Sequence, residues 1–362
     1  MLLTPGPVML HERVVRAQAV QAVSHRSEGF RRVLDEVRRL LVEIAGGGEA
    51  LVLTGSGTLA VESMAWSLTR PGDRVLVVSH GEFGERLADT LRRRGAVVDP
   101  VEAPRPGAPV PLDAVLGRLE TRAYDAVAVV YTETSMGLSY REVEKIAEAG
   151  HAAGARVLVD AVSAFAGEPV PAPGTVDAVA TASQKALAGP PGLGFVLVDE
   201  EVARLLEERG APGPVPNYLD LGKVARFHRR RRETPYTPAV TLLNAMVEAL
   251  RLIDEYGAAQ WRTRHRLRAE RLYSSMPLEP LVSSPEHRAW TLAAFRTPVP
   301  SSVLAEELAR RGIRVARGMG ELRDRVVRVS TMGWSPDWVF EKLPGIVEEV
   351  LEAAPSAAPE TR

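Results

Sequence analysis

Short apolar runs of five to seven residues alternate with stretches whose apolar positions recur every three or four residues through the first two thirds of the chain. The runs read as buried strands: Ala50 to Thr54, Arg74 to Ser79, Val97 to Val101, Ala126 to Tyr131, Arg156 to Asp160, Val176 to Ala182 and Gly194 to Val198. The periodic stretches read as helices over Thr58 to Leu68, Glu82 to Arg94, Leu112 to Glu120, Arg141 to Ala153 and Glu200 to Glu208, with another from Phe30 to Ala45. Such alternation predicts an α/β fold with a mainly parallel sheet, whose ligands bind beyond the carboxyl ends of the strands.

The pattern breaks at the Gly/Pro-rich loop Gly210 to Pro216, and a polar, arginine-rich segment follows. Val240, Leu243, Val247, Leu250 and Ile253 then share one face of a long helix, Ala239 to Tyr256. Beyond it, helices at Trp261 to Ser274, Ser301 to Arg311 and Val339 to Ala353 mix with strands at Thr291 to Phe295, Ile313 to Ala316 and Val326 to Ser330. That suits a smaller α+β unit. The expected division is an N-terminal arm (1–14), a large domain (15–257) and a small C-terminal domain (258–362), with the tail Pro355 to Arg362 frayed.

Composition narrows the chemistry. With 362 residues and 45% hydrophobic content the chain buries a large core, and a net charge of −1 points away from nucleic acid or an anionic membrane as principal partner. The absence of cysteine excludes disulfides, thiolate metal sites and cysteine nucleophiles. No basic, apolar leader opens the sequence and no apolar run approaches about 18 residues, so a cytoplasmic protein without membrane spans is expected. Arginine far outnumbers lysine, Asn217 and Asn244 are the only asparagines, and proline is frequent in loops; both heat adaptation and high genomic GC content produce this bias.

The candidate chemistry gathers at strand ends. Ser183-Gln184-Lys185 follows the strand ending at Ala182 and precedes the turn Gly189-Pro190-Pro191-Gly192, a position that desolvates the lysine amine; a neutral lysine forms a Schiff base with an aldehyde cofactor. Asp160 closes a buried strand, placed to hold a ligand or to brace a loop. Gly55-Ser56-Gly57-Thr58 lies between a strand and a helix, where its amides cradle a phosphate or cap the helix. Phe83, flanked by Gly81 and Gly84, either stacks on a flat ring or fills the core, and Glu133-Thr134-Ser135-Met136-Gly137 offers hydroxyls or a simple turn. All fall on one edge of the sheet.

In this order the fragments resemble the fold-type-I pyridoxal-phosphate enzymes, and more narrowly the class V aminotransferases, from Leu3-Thr4-Pro5-Gly6-Pro7 to Val327-Arg328-Val329-Ser330-Thr331-Met332-Gly333; Ser-Gln-Lys followed by Pro-Pro-Gly-Leu-Gly-Phe is the most specific piece. The resemblance implies a seven-stranded large domain and pyridoxal 5'-phosphate bound covalently to Lys185. It further implies that Asp160 pairs with the pyridine nitrogen, that Phe83 stacks on the ring, that Ser56, Gly57, Thr58 and Gln184 hold the phosphate side, and that Thr134 and Ser163 lie near the ring substituents. Arg328 looks like the clamp on the substrate carboxylate, with Gly6 beside it. Thr234-Pro235-Tyr236-Thr237-Pro238 resembles a loop that crosses a homodimer interface, so that Thr234 and Thr237 would serve the other subunit's cofactor. Two positions depart from the family pattern: relatives often carry an aromatic hydroxyl near Thr234, and threonine at Met136.

The implied reaction moves an amino group from alanine, serine or aspartate to glyoxylate, pyruvate or 2-oxoglutarate by a ping-pong route. Ser24-His25-Arg26 is similar to a triplet of phosphoserine aminotransferases, which makes phosphoserine the alternative donor; His25 and Arg26 could equally serve a second carboxylate or a structural loop. Cysteine desulfurase, on the same fold, needs a nucleophile this chain lacks, whereas other pyridoxal lyases and aldolases stay open. The run His228 to Arg232 suggests a nucleic-acid surface, a source of positive potential for acidic substrates, or simply a solvated face; Glu233 follows at once and no aromatics interleave, which favours the last.

Overall fold

The structure, a computed structural model, describes residues 1–353; the expected frayed tail from Pro355 lies outside the described residues. Seven strands form the central sheet: β1 (Glu49–Thr54), β2 (Arg74–Ser79), β3 (Val97–Glu102), β4 (Ala126–Val130), β5 (Arg156–Asp160), β6 (Ala178–Ala182) and β7 (Leu193–Val198). Their order is β1-β7-β6-β5-β4-β2-β3. Neighbours from β3 through β6 run parallel, and β7 is antiparallel to both β6 and β1. The reversal at β7 has a simple cause. Only residues 183–192 join it to β6, too short a path for the crossover a parallel neighbour needs.

Alternate residues of each strand supply two cores. In β4, Val127 and Val129 face one layer with Phe30, Leu34 and Ile146, while Ala126, Ala128 and Val130 face the other with Met64, Leu87 and Leu91. Burial on both faces explains why these strands read as continuous apolar runs rather than alternating ones. The predicted mainly parallel α/β architecture is therefore observed, with boundaries within two residues for all seven strands.

A second sheet lies toward the C-terminus, formed by β8 (Leu292–Arg296), β9 (Ala316–Arg317) and β10 (Val326–Ser330) in the order β8-β10-β9, all antiparallel. It packs on the helices Ala258–Ser275, Ser301–Arg310 and Trp338–Ala353 through Phe295, Leu304, Val327, Phe340 and Leu343. The start of the chain joins this region. Leu3 is fully buried there, donating its amide to Arg314 and accepting from Ser330. Of the expected strand Ile313 to Ala316, only Ala316 pairs with β10; Arg314 instead bridges to Leu2.

The arginine-rich segment contains a helix the apolar pattern did not announce, Leu221–Arg231, capped by the Asp220 side chain. Its basic run is largely paired: Arg229 meets Glu49 and Glu207, Arg230 meets Glu207, and Arg232 meets Glu28 and Asp35, while Arg231 lies over Phe227. Three of the run's four arginines are thus neutralised within the fold, which argues against a nucleic-acid surface or a steering patch.

Candidate active site

The carboxyl ends of β1, β2, β5 and β6 open onto one cleft of about 150 Å³. Ser56, Gly57 and Thr58 line it from β1, Phe83 from the helix after β2, Asp160 from β5, and Gln184 and Lys185 from the turn after β6. Seven of the residues singled out in the sequence thus share one wall-to-wall space. The helix Gly57–Leu68 begins here, and its N-cap Ser56 makes no side-chain bond to the first turn, so the amides there have no side-chain cap.

The turn holding Lys185 is braced from beneath. Ser183 donates its hydroxyl to the Pro190 carbonyl and accepts from the Leu193 amide, and the Gly189 amide closes on the Ser183 carbonyl. Lys185 then reaches toward the N-terminal arm, where its Nζ donates to the Pro5 carbonyl. Gly6 lies directly over the lysine stem: a Cβ there would stand 2.9 Å from Lys185 Cδ, at a backbone φ of +113° that favours glycine. Burial, then the charge of Arg328, push the amine down to about 8, against the opposing pull of Asp160.

Asp160 is buried and its carboxyl is raised to about 6 by that burial, with the Val162 amide, Lys185 and Arg86 acting the other way. Oδ1 accepts from Val162 at 2.9 Å. Its other oxygen carries no hydrogen bond among the described residues. Thr134 and Ser163, both buried, bond to each other through their hydroxyls at 2.6 Å.

Arg328 comes from β10 in the second sheet and is almost fully buried. Its Nε donates to the Arg317 carbonyl at 2.8 Å and Nη1 to the Thr134 carbonyl at 3.0 Å, so it is aimed from the C-terminal sheet at the strand-end loop. Burial lowers its pKa to about 10, and Glu133 is the anion that opposes this.

Other expected residues lie elsewhere. Thr234 and Thr237 line a separate small pocket with Tyr218 and Val52, Thr234 bonding to the Tyr236 carbonyl. Arg26 is engaged by Glu233 at 2.6 Å and by the Thr234 carbonyl, and His25 packs edge-on against Phe30. Within one protomer none of these four lines the Lys185 cleft. Arg86 escaped the sequence reading, and Glu133 enters it only as part of a strand-end turn. Arg86 lines the cleft with its guanidinium 4.7 Å from the Phe83 ring centroid, and its i+3 spacing from Phe83 was the available signal. Glu133, fully buried, bonds to the amides of Phe83 and Gly84.

Comparison with known proteins is consistent over nearly the whole chain. The aminotransferase class-V family model matches residues 9–323. The chain belongs to the class-V aminotransferases. An alanine–glyoxylate aminotransferase structure from Nostoc sp. is 32% identical with a TM-score of 0.89, covering 97% of this chain and 94% of that one. The subgroup IV aspartate aminotransferase structure from Thermus thermophilus is 32% identical with a TM-score of 0.85, covering 97% and 99%. A 2-aminoethylphosphonate–pyruvate transaminase from Burkholderia thailandensis is 32% identical over 359 residues, 91% of this chain and 95% of the relative.

The cleft of this class-V chain meets the demands of a phosphorylated pyridine aldehyde. Gln184 Oε1 is buried without a partner, Asp160 has a free oxygen beside it, amides stand open at a helix start, and a lysine amine is held near neutrality. The buried Gln184 oxygen is costly without a partner, and the four features together fit this ligand.

Proposed function

We propose that the chain transfers an amino group from a small amino acid to a 2-oxo acid, with alanine, serine or aspartate as donor and glyoxylate, pyruvate or 2-oxoglutarate as acceptor. The observation that carries this reading is the enclosure of Lys185, at about 8, in one cleft with Asp160, Phe83 and Gln184, with the charge of Arg328 lowering the amine from the second sheet. Pyridoxal 5'-phosphate, when bound, supplies an aldehyde and an electron-withdrawing ring. Lys185 would hold it, and Ser56, Gly57, Thr58 and Gln184 would take its phosphate side.

Asp160 presents an unshared oxygen that would accept a ring N–H, and a buried carboxylate in that position would keep the nitrogen protonated. Phe83 would cover the ring face. Arg328 binds the substrate carboxylate through two N–H groups, which fixes the direction of the Cα–H bond. Lys185 would take the α-proton at Nζ, and an amine near 8 exchanges protons readily in both directions. Thr134 and Ser163, bonded to each other through their hydroxyls, would lie near the ring substituents. The ping-pong order follows because each half-reaction uses the same lysine and the same carboxylate clamp.

The division into arm (1–14), cofactor domain (15–257) and small domain (258–362) belongs to this reading, as do a cytoplasmic homodimer and Thr234 and Thr237 serving the other subunit's site. No helix among the described residues is long and apolar enough to cross a membrane. The phosphoserine alternative draws less support, because Arg26 is already paired with Glu233. Absorbance of the purified protein supplied with pyridoxal phosphate tests the reading: a visible band that bleaches with alanine, serine or aspartate supports it, and no band at any cofactor concentration refutes it.

A further inference from the structure

Glu133 is a fully buried carboxylate that the reaction itself does not use. One oxygen accepts from the amides of Phe83 and Gly84, each at 3.2 Å, and the other from the Ser135 amide at 3.1 Å and from the Ser135 hydroxyl. Burial raises its carboxyl, and these four donors act against that.

The reason for a remote carboxylate lies at the start of the helix Glu82–Arg94. Its N-cap is Gly81, which has no side chain to satisfy the first amides. A Cβ at that position would stand 2.9 Å from Ser135 Oγ and 3.3 Å from the Glu133 carboxyl carbon. The usual local cap is therefore sterically replaced by a group from the loop after β4, and the positive end of the helix supports its charge.

The same loop carries the rest of Arg328. Thr134, next in sequence, offers its carbonyl to Arg328 Nη1 at 3.0 Å, and Glu133 is the anion this guanidinium senses. We propose that Glu133 is a positioning residue that joins the ring-covering helix to the carboxylate clamp, so that Phe83 and Arg328 keep their places together. This rests on the aminotransferase reading above. An ordinary helix cap anchors one element; Glu133 holds the helix directly and reaches the second sheet through the carbonyl of its neighbour Thr134.

The test separates the two half-sites with binding measurements. Pyridoxal phosphate affinity is read by absorbance titration of the cofactor-free protein, and carboxylate affinity by competition of propionate, which cannot react, against the amino donor. Circular dichroism and thermal melting establish that each variant is folded. Phe83→Leu should weaken the cofactor alone and Arg328→Lys the carboxylate alone. Glu133→Gln, which turns an amide N–H toward backbone N–H groups, should weaken both by about tenfold. Ser135→Ala removes one donor without disturbing the helix and should weaken both by about twofold to threefold, which keeps the test open if Glu133→Gln does not fold. Loss confined to one ligand, or none, in the folded Glu133 and Ser135 variants overturns the proposal. A wild-type protein that takes up no pyridoxal phosphate would instead remove the functional reading and this inference with it.

Discussion

Lys185 offers a prediction whose sign can be tested in both directions. Its amine falls from the ordinary 10.5 to about 8, which corresponds to about 3 kcal/mol of preference for the uncharged form. Burial is the largest cause, Arg328 comes next, and Asp160 is the group that opposes them. Replacing Arg328 by glutamine removes one lowering charge and leaves burial, so the amine should rise by about one pH unit, roughly 1.4 kcal/mol. Replacing Asp160 by asparagine removes the opposing charge, and the amine should fall further below 8. The assay is acetylation of the cofactor-free protein across a pH series, with Lys185 followed by peptide mass spectrometry, because only the uncharged amine reacts. A midpoint near 10 in the wild type, or shifts of the same sign in the two variants, would refute the electrostatic account of this site.

Three further outcomes follow from the same geometry. Because the folded amine titrates below the unfolded one, the unfolded chain binds the extra proton between pH 8 and 10.5; Lys185 therefore weakens the fold below pH 8, and Lys185→Met should stabilise the cofactor-free protein by about 2–3 kcal/mol at pH 7, an advantage lost as pH rises through that window, measurable by urea unfolding. Gly6→Ala places a methyl against Lys185 Cδ and Cε in a left-handed backbone and should cut turnover at least about tenfold with little change in melting temperature. Glu168 is fully buried and accepts from Arg141, Ser139, Thr132 and the Trp290 amide, so Glu168→Ala should cost about 3–5 kcal/mol of stability in chemical denaturation.

How far the sequence spoke depended on the range of each interaction. The central strands were legible because burial on both faces leaves an uninterrupted apolar run, and Lys185, Asp160 and Phe83 were legible because each sits within a few residues of a strand end. The helix Leu221–Arg231 was not, since its buried face is only Leu221, Val224, Ala225 and His228 within a basic run. Glu133 was visible as a strand-end residue, but its role depends on amides fifty positions away. Leu3 is the clearest case of all: its partners, Arg314 and Ser330, stand at the far end of the chain, and no local pattern announces them.

That last contact gives the chain an order of assembly. Leu3 is made early, yet both groups that hold it are made more than three hundred residues later. Through most of synthesis the arm has no partner, and Lys185 emerges with no Pro5 carbonyl fixed above it. The Lys185 amine is thus made uncovered and is roofed over only when the segment around Arg314 and Ser330 meets the arm, so a change near Leu3 must be tolerated at a late step of folding rather than at an early one.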